Sequence, residues 1–199
     1  MAGWSRHDGT AVALPRDNID TDQLIPARFM SASRAEGYGQ FLLRDLREGD
    51  PDFPLDRFPQ ASILLAGRNF GCGSSREAAV YALVDAGIRC VIATGFGDIF
   101  AANAVNNGLL PARLAETPAL MQALAGRTTS ASIDLETSQI ALNGATLQFD
   151  LAPVWRTKLI NGWDDIDLTR AHLDDIRTFR DQRHKRHRWS WPASQNPQD

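Results

Sequence analysis

The residues of this sequence best suited to chemistry are two serines and an arginine at the end of a glycine-rich stretch, Gly67–Glu77. Its three glycines let the backbone approach a ligand closely. Ser74, Ser75 and Arg76 lie where a helix is expected to begin, and the unpaired N–H groups at a helix N-terminus stabilise a carboxylate or a serine alkoxide. The planar guanidinium of Arg76 can bind a carboxylate through two hydrogen bonds. The stretch therefore predicts an anion-binding turn.

The same residues also allow a purely structural interpretation. Ser74 and Glu77 have the spacing of a capping box, in which the serine only satisfies the start of a helix. The stretch lacks the Gly-Lys-Ser/Thr end of a Walker A loop and the G-x-G-x-x-G spacing of a dinucleotide fold. From the residues alone, helix capping and anion binding both stay open.

The elements around the turn predict parallel strands. An apolar run precedes the turn, a helix-like segment follows it, and a second apolar run comes next, which is the order of a parallel β-α-β unit. Further along, alternating residues around Asn143-Gly144 predict a small antiparallel meander. The predicted strands are Thr10–Leu14, Ser62–Ala66, Arg89–Ala93, Ser132–Leu135, Gln139–Leu142 and Thr146–Phe149, and the predicted helices are Arg76–Ala86, Asp98–Asn106, Pro153–Ile160 and Leu168–Arg188.

Length, composition and charge limit the class of protein. The 199 residues, 43% of them hydrophobic, suit one domain, which we expect over residues 1–180 with a basic, frayed tail over 181–199. The net charge of −3 gives no general nucleic-acid signature, and the basic run Arg180–Trp189 is interpreted as a solvated helix end. No apolar run reaches the roughly 18 residues of a membrane span, and Arg6 and Asp8 lie where a signal peptide needs an apolar core. We expect a cytoplasmic protein that binds neither nucleic acid nor membrane.

Several strings of residues resemble those of one family. Residues 69–77, NFGCGSSRE, resemble the signature of the small swivelling domain of the aconitase superfamily, and Asp17–Phe29 resembles the opening of the small subunits of 3-isopropylmalate dehydratase. The resemblance covers about residues 9–177, and further motifs follow in the family's order. They are Gly37–Phe41, Asp98–Phe100, Asn106-Asn107, Leu109–Pro111, Leu159–Gly162 and Asp164–Ile166.

The resemblance implies both a fold and an activity. The fold would be α/β, a three-layer β/β/α swivelling domain of the aconitase type with a small antiparallel meander and C-terminal helices. The activity would be that of a hydro-lyase of leucine biosynthesis, which isomerises 2-isopropylmalate and 3-isopropylmalate by removing and re-adding water. Ser74 would be the base, activated by N–H groups because free serine is too weak a base. Ser75 and Arg76 would bind the substrate carboxylate, and Arg28 and Arg34 would lie near the substrate's variable side chain.

The resemblance also implies a cofactor and a partner. The Lewis acid of the family is a [4Fe–4S] cluster that needs three protein cysteines, whereas this chain has two. Cys72 lies in the signature, and Cys90 lies on a predicted buried strand, where we expect it to pack in the core. The cluster would therefore be carried by the large subunit of isopropylmalate dehydratase, with no metal bound by this chain, and the chain alone would be inactive.

Two departures from the family pattern leave the substrate open. The family commonly has Glu-His-Ala where this chain has Glu77-Ala78-Ala79, and Ser-Phe-Ala where it has Gly95-Phe96-Gly97. A paralogous small subunit for citraconate, another 2-alkylmalate or homoaconitate would keep the same core, and a non-catalytic anion-binding module is the alternative from another class.

Residues outside the signature are given structural roles. We expect Asp20, Thr21 and Asp22 to hold the base of their loop through local hydrogen bonds. The histidines lie outside the motifs, and no histidine site is predicted.

Overall fold

The computed structural model describes residues 2–74 and 76–191, apart from the side chain of Arg34. The strands are β1 (Arg6–Leu14), β2 (Ala61–Ala66), β3 (Cys90–Ala93), β4 (Leu110–Arg113), β5 (Thr128–Asp134), β6 (Gln139–Leu142) and β7 (Ala145–Gln148). The α-helices are α1 (Thr21–Leu24), α2 (Arg44–Glu48), α3 (Pro54–Arg57), α4 (Glu77–Asp85), α5 (Asp98–Asn106), α6 (Thr117–Ala123), α7 (Pro153–Asn161), α8 (Asp165–Arg170) and α9 (Leu173–Arg186). The chain forms two compact units: the first ends at Trp163 and the second begins at Asp164.

The strands of the first unit form one mixed sheet in the order β4-β3-β2-β1-β5-β6-β7. The first four of these strands are parallel, and β1 pairs with β2 on one side and antiparallel with β5 on the other. β5, β6 and β7 form the antiparallel meander. Asn143 and Gly144 connect β6 to β7 with φ angles of 51° and 77°, which suits the predicted two-residue hairpin. The parallel unit and the meander are both confirmed.

Successive residues of the parallel strands belong to two separate cores. On β2, the buried Leu64 packs in a core that includes Leu83 of α4. Its neighbour Ile63 packs in a second core that includes Ile140 of β6. Each such fully buried side chain stabilises the fold by about 1.5–3 kcal/mol. Because helices cover one face of the parallel strands and the meander shares the core on the other, the fold is the expected α/β architecture with β/β/α layers.

The second unit is helical. The Asp164 side chain caps α8 by accepting the N–H of Asp167 at 2.8 Å, and the Asp167 carboxylate accepts the N–H of Asp164 at 3.2 Å. The predicted helix Leu168–Arg188 is instead divided between α8 and α9. The boundary predicted at residue 180 stays a prediction; α9 continues across it, and residues 192–199 of the predicted tail lie outside the described residues. No helix in the described ranges is long and apolar enough to cross a membrane.

Candidate active site

Three loops extend beyond the carboxyl ends of β1, β2 and β3 and lie side by side, the usual place for a ligand on parallel strands. They are residues 16–22, the glycine-rich turn of residues 67–74, and residues 95–97. Backbone hydrogen bonds continue the parallel pairing into the loops and hold the glycine-rich turn between the other two. The N–H donors and carbonyl acceptors are Asn18 to Arg68 (2.9 Å), Gly71 to Ile19 (2.7 Å), Thr21 to Cys72 (3.1 Å), Phe70 to Gly95 (3.0 Å) and Gly97 to Phe70 (2.9 Å).

Two glycines let the loops and α5 come this close. Gly71 has a φ of 71°, and a Cβ atom there would lie 2.1 Å from the ring of Phe100. A Cβ atom on Gly97 would lie 2.5 Å from the carbonyl oxygen of Gly71. Neither position has room for a side chain, so both must be glycine for this packing.

The loops and the start of α5 surround a pocket of about 320 Å³. Ser74 and Arg76 both line it, so the structure brings these two predicted site residues together. The other polar side chains that line the pocket are Thr21, Asn69, Cys72 and Asp98.

Ser74 does not cap the helix that follows it. α4 begins at Glu77, and Arg76 holds the N-cap position without a side-chain hydrogen bond to the helix. The carbonyl oxygen of Ser74 accepts a hydrogen bond from the buried Thr21 hydroxyl at 2.7 Å. Glu77 Oε1 accepts one from Asn107 Nδ2 at 3.0 Å. The capping-box interpretation is wrong because the helix begins later than predicted and both residues are held by other partners.

The last part of the glycine-rich turn, Cys72–Ser74, is held through its carbonyl groups, whereas the two amide groups before it are paired with the neighbouring loops. Thr21 binds the carbonyls of Cys72 and Ser74 through its N–H and its hydroxyl. The N–H groups of Cys72, Gly73 and Ser74 donate no hydrogen bond to any described residue. Gly73 has a φ of 87°, and successive N–H groups around such a residue form a concave site for an anion. The turn therefore has the groups that anion binding requires.

Arg76 forms an ion pair with Asp22 beside the pocket. The arginine side chain is only 23% exposed, whereas that of Asp22 is 54% exposed. The buried Nη1 atom lies against the carboxylate but makes no well-aligned hydrogen bond within the described part of the chain. Asp22 thus fixes the position of the guanidinium while leaving it hydrogen-bonding capacity.

The predicted local hydrogen bonds of Asp20, Thr21 and Asp22 are confirmed only for the first residue. Asp20 caps α1 by accepting the N–H of Gln23 at 2.7 Å, and its own N–H donates to Gln23 Oε1 at 3.0 Å. Thr21 and Asp22 instead contact the turn and Arg76. No sequence signal pairs residues so far apart in the chain, and their roles were therefore missed.

Arg28 lies outside the pocket. Its guanidinium makes two hydrogen bonds to the Asp45 carboxylate of α2, one of them 3.0 Å long, and lies 4.5 Å from the centre of the Phe29 ring. The hydrogen bonds to Arg28 lower the pKa of Asp45, and the same bonds raise the pKa of Arg28. Ser75 and the side chain of Arg34 lie outside the described residues, so the structure places neither relative to the pocket.

The two cysteines have different surroundings. Cys72 is half-buried in the pocket wall, whereas Cys90 is fully buried in the second core. Burial raises the pKa of the Cys90 thiol and keeps it protonated. The expected core role of Cys90 is confirmed. No three His, Cys, Asp or Glu side chains of the described residues are placed to hold a metal ion together. The chain has only two cysteines, and one of them is fully buried, so its thiols do not fit an iron–sulfur cluster.

The chain is similar to one family along most of its length. The family model of the aconitase C-terminal domain matches residues 1–117. The chain is 42% identical over 189 residues to the 3-isopropylmalate dehydratase small subunit of Halalkalibacterium halodurans, covering 90% of this chain and 97% of that one. It is 44% identical over 185 residues to the small subunit of the same name from Christiangramia forsetii, covering 87% and 90%. The chain belongs to the family of 3-isopropylmalate dehydratase small subunits.

A solved structure supports the same family. The crystal structure of 3-isopropylmalate dehydratase from Methanocaldococcus jannaschii matches this fold with a TM-score of 0.68 at 28% sequence identity. The match covers 87% of this chain and 99% of that chain. The resemblance stated from the sequence motifs, and the fold it implied, are confirmed.

The two departures from the small-subunit pattern lie in different places. Ala78 packs on α4 against the first core and does not line the pocket. Gly97 lines the pocket and donates its N–H to Phe70. Of the two segments, only Gly95–Gly97 contributes to the pocket wall, through Gly97.

Proposed function

We propose that the chain is the small subunit of a two-chain hydro-lyase that isomerises 2-isopropylmalate and 3-isopropylmalate in leucine biosynthesis. The observation that carries the proposal is that Ser74 and Arg76 of the family signature line one pocket, in a chain 42–44% identical to small subunits of this name. The unpaired amide groups of the turn suit an anionic substrate and an anionic base.

Ser74 is the base in this proposal. Its alkoxide takes a proton from the carbon next to the one that bears the hydroxyl group. The C–H electron pair forms the carbon–carbon double bond as hydroxide leaves. In the second half-reaction hydroxide adds to the carbon that lost its proton, and Ser74 returns the proton to the carbon that had borne the hydroxyl group. The unpaired amides of Cys72–Ser74 stabilise the alkoxide, which compensates for the weak acidity of serine.

Arg76 binds a substrate carboxylate in this proposal, and Asp22 orients its guanidinium. A cation held this way loses little side-chain freedom when the substrate arrives. Ser75 is assigned to the same carboxylate. Arg28 and Arg34 are assigned to the region of the substrate's variable side chain, and Arg28 would exchange its bond to Asp45 for the substrate.

The partner is the large subunit of isopropylmalate dehydratase. Because the chain has only two cysteines and Cys90 is buried, we assign the [4Fe–4S] cluster to that subunit. This chain contributes the base, the carboxylate-binding arginine and the wall that excludes water from the shared site. The complex is assigned to the cytoplasm.

Reconstitution tests the proposal. The chain is co-expressed with an isopropylmalate dehydratase large subunit from the same organism, and the complex is assayed with isopropylmalate, methylmalate, citraconate and homoaconitate. We expect isopropylmalate to be the best substrate and the isolated chain to bind no iron and show no turnover.

The other outcomes discriminate between the alternatives. Preference for another member of the panel would identify a paralogous small subunit with the same chemistry. Loss of dehydration with every substrate, in a complex that forms and holds its cluster, would leave only a non-catalytic anion-binding module. Stoichiometric iron and turnover in the isolated chain would contradict the two-subunit arrangement.

A further inference from the structure

A second pocket, of about 210 Å³, lies where residues 95–97, β4, α5 and α7 meet. It shares no lining residue with the candidate active site. Most of its wall is apolar, and the side chains that form it are Phe96, Ala101, Pro111, Leu151 and Trp155. Pockets for drug-sized ligands have about 300–1,000 Å³, so this one suits only a small molecule.

One cation and one anion complete the lining. The backbones of Arg113 and Asp150 form an antiparallel bridge, in which the N–H of Asp150 donates to the Arg113 carbonyl at 2.9 Å. Side chains of directly opposed residues lie on the same side of such a bridge. Both residues are exposed and both line the pocket. Neither side chain has an ion pair or hydrogen bond with any residue that the structure describes.

We infer that this second pocket binds a free α-amino acid with an aliphatic side chain. Arg113 would bind the carboxylate, Asp150 the ammonium group, and the side chain would lie against Phe96 and Trp155. A dicarboxylate or a phosphate fits less well, because Asp150 would repel its additional negative charge. A simple hydrocarbon would leave both charges unused.

An aromatic cluster connects this pocket to the active site. The Phe96 ring lies 6.4 Å from that of Phe100, stacked at 8°, and 6.3 Å from that of Phe70. Phe100 lines the active-site pocket and fills the space beside Gly71. An amino acid held against Phe96 would therefore restrain the ring that supports the glycine-rich turn.

Calorimetric titration of the full, isolated chain tests the binding, so the result does not depend on the proposed activity. We expect L-leucine to bind with a Kd of about 1 mM, as suits two exposed charges and one small apolar side chain. Three analogues each lack one feature: 4-methylpentanoate lacks the ammonium group, 3-methylbutylamine the carboxylate, and glycine the side chain. We expect each to bind at least about tenfold more weakly than leucine.

Two substitutions test the assigned contacts. Arg113→Gln and Asp150→Asn should each weaken leucine binding at least about tenfold, without lowering the Tm, because neither side chain has a partner to lose. Arg127→Gln, at an exposed arginine outside the pocket, is the matched control and should bind leucine like the wild type. Undetectable leucine binding, equal binding of the analogues, or unchanged binding in both pocket variants would overturn the inference.

The link to the active site is tested in the reconstituted complex. Saturating leucine should change kcat/KM for isopropylmalate in the wild type and leave it unchanged in Arg113→Gln. Binding without any change in wild-type turnover would overturn the link.

Discussion

Two serines lie at opposite ends of the parallel strands, and their surroundings differ. Ser62, near the start of β2, has a partner typical of catalysis, because its Oγ lies 2.8 Å from His7 Nε2. Burial lowers the pKa of His7, with a further contribution from Arg89, so the ring is neutral near neutral pH. Ser74 lies beyond the end of the same strand, and none of the residues that line its pocket is a histidine.

The space around each serine decides what it can do. A Cβ atom on Gly9 would lie 2.1 Å from Ser62 Oγ and 2.8 Å from His7 Nε2, so the β1 backbone covers that pair. At the other end of the strands, the loops enclose about 320 Å³ beside Arg76 and the amide groups of Cys72–Ser74, which have no acceptor among the described residues. The close backbone of Gly9 makes the bond between Ser62 and His7 a structural one, whereas Ser74 lines a cavity beside the cationic Arg76.

The largest effect is expected from removing the two hydroxyl groups. Ser74→Ala should lower kcat by about 100-fold or more, the usual contribution of a positioned base, and should leave the Tm unchanged because Ser74 caps no helix. Ser62→Ala should change kcat by less than about twofold and cost about 1 kcal/mol of stability, from the lost bond to His7. Steady-state kinetics and thermal unfolding of the reconstituted complexes measure both. If Ser74→Ala and Ser62→Ala lost equal activity, the two serines would not differ in function as we propose.

The second prediction compares two arginine–aspartate pairs. Arg76→Lys keeps the charge but loses the planar guanidinium group. The stabilisation of the transition state should therefore fall by about 2–4 kcal/mol, which lowers kcat/KM about 30- to 900-fold. Arg28→Lys makes the same chemical change in an exposed pair outside the pocket and should raise KM by less than about tenfold with kcat unchanged. If the Arg76 variant kept wild-type kcat/KM, Arg76 would be a structural residue.

A smaller effect is expected from adding methyl groups at three glycines. Gly97→Ala forces Cβ against the Gly71 carbonyl, and the overpacking should cost about 1–3 kcal/mol of stability and also lower activity. Gly95→Ala is the matched control, since nothing lies within 4 Å of its Cβ position. Gly9→Ala meets a side chain that can rotate, so it should cost about 1 kcal/mol, the value of the bond between Ser62 and His7, and leave kcat unchanged. If Gly97→Ala kept wild-type stability and activity, the loops would not be packed as closely as the structure shows.

The smallest effect concerns pH and the amino ends of the strands. Because the pKa of His7 is lowered from 6.5 in the folded chain, the unfolded chain binds a proton first as the pH falls. The contribution of His7 is complete above pH 6.5 and is lost as the pH falls through the folded-state pKa. We expect His7→Gln to reduce the loss in free energy of unfolding between about pH 7.5 and about pH 5.

The sequence predicted the elements whose local signals agree. Apolar runs and glycine stops located β2, β3 and α5, and Asn143-Gly144 located the hairpin. β4 was not predicted, because it has four residues and contains Pro111, which a strand tolerates only at a sheet edge such as this one. That the meander covers the second face came from the family resemblance, since alternation along a strand does not say which surface its apolar side will meet.

The candidate site, like the fold, was predictable only where its features are local in the sequence. The turn, Ser74 and Arg76 could be identified as candidates from residue types and spacing, because those features are local, whereas the roles proposed for them came from the family resemblance. Two contacts could not be found in this way: the hydrogen bond from Thr21 to the Ser74 carbonyl, and the ion pair between Asp22 and Arg76. Both depend on how β1 and β2 align, and local spacing does not encode that alignment. The capping box failed for the same reason: Ser74, which local rules assigned to the start of the helix, is bound instead by Thr21 of α1, far away in the sequence.

The backbone hydrogen bonds between the active-site loops shape how this protein can evolve. A backbone bond needs no particular side chain except that its donor is not proline. Side chains on the pocket rim, such as Ile99, which is 57% exposed, can therefore be exchanged without loosening the loops. Gly71 and Gly97 have no such freedom. Substitutions at the rim can therefore change substrate preference while the hydrogen-bonded loops stay the same. The protein can evolve new specificity with little loss of stability.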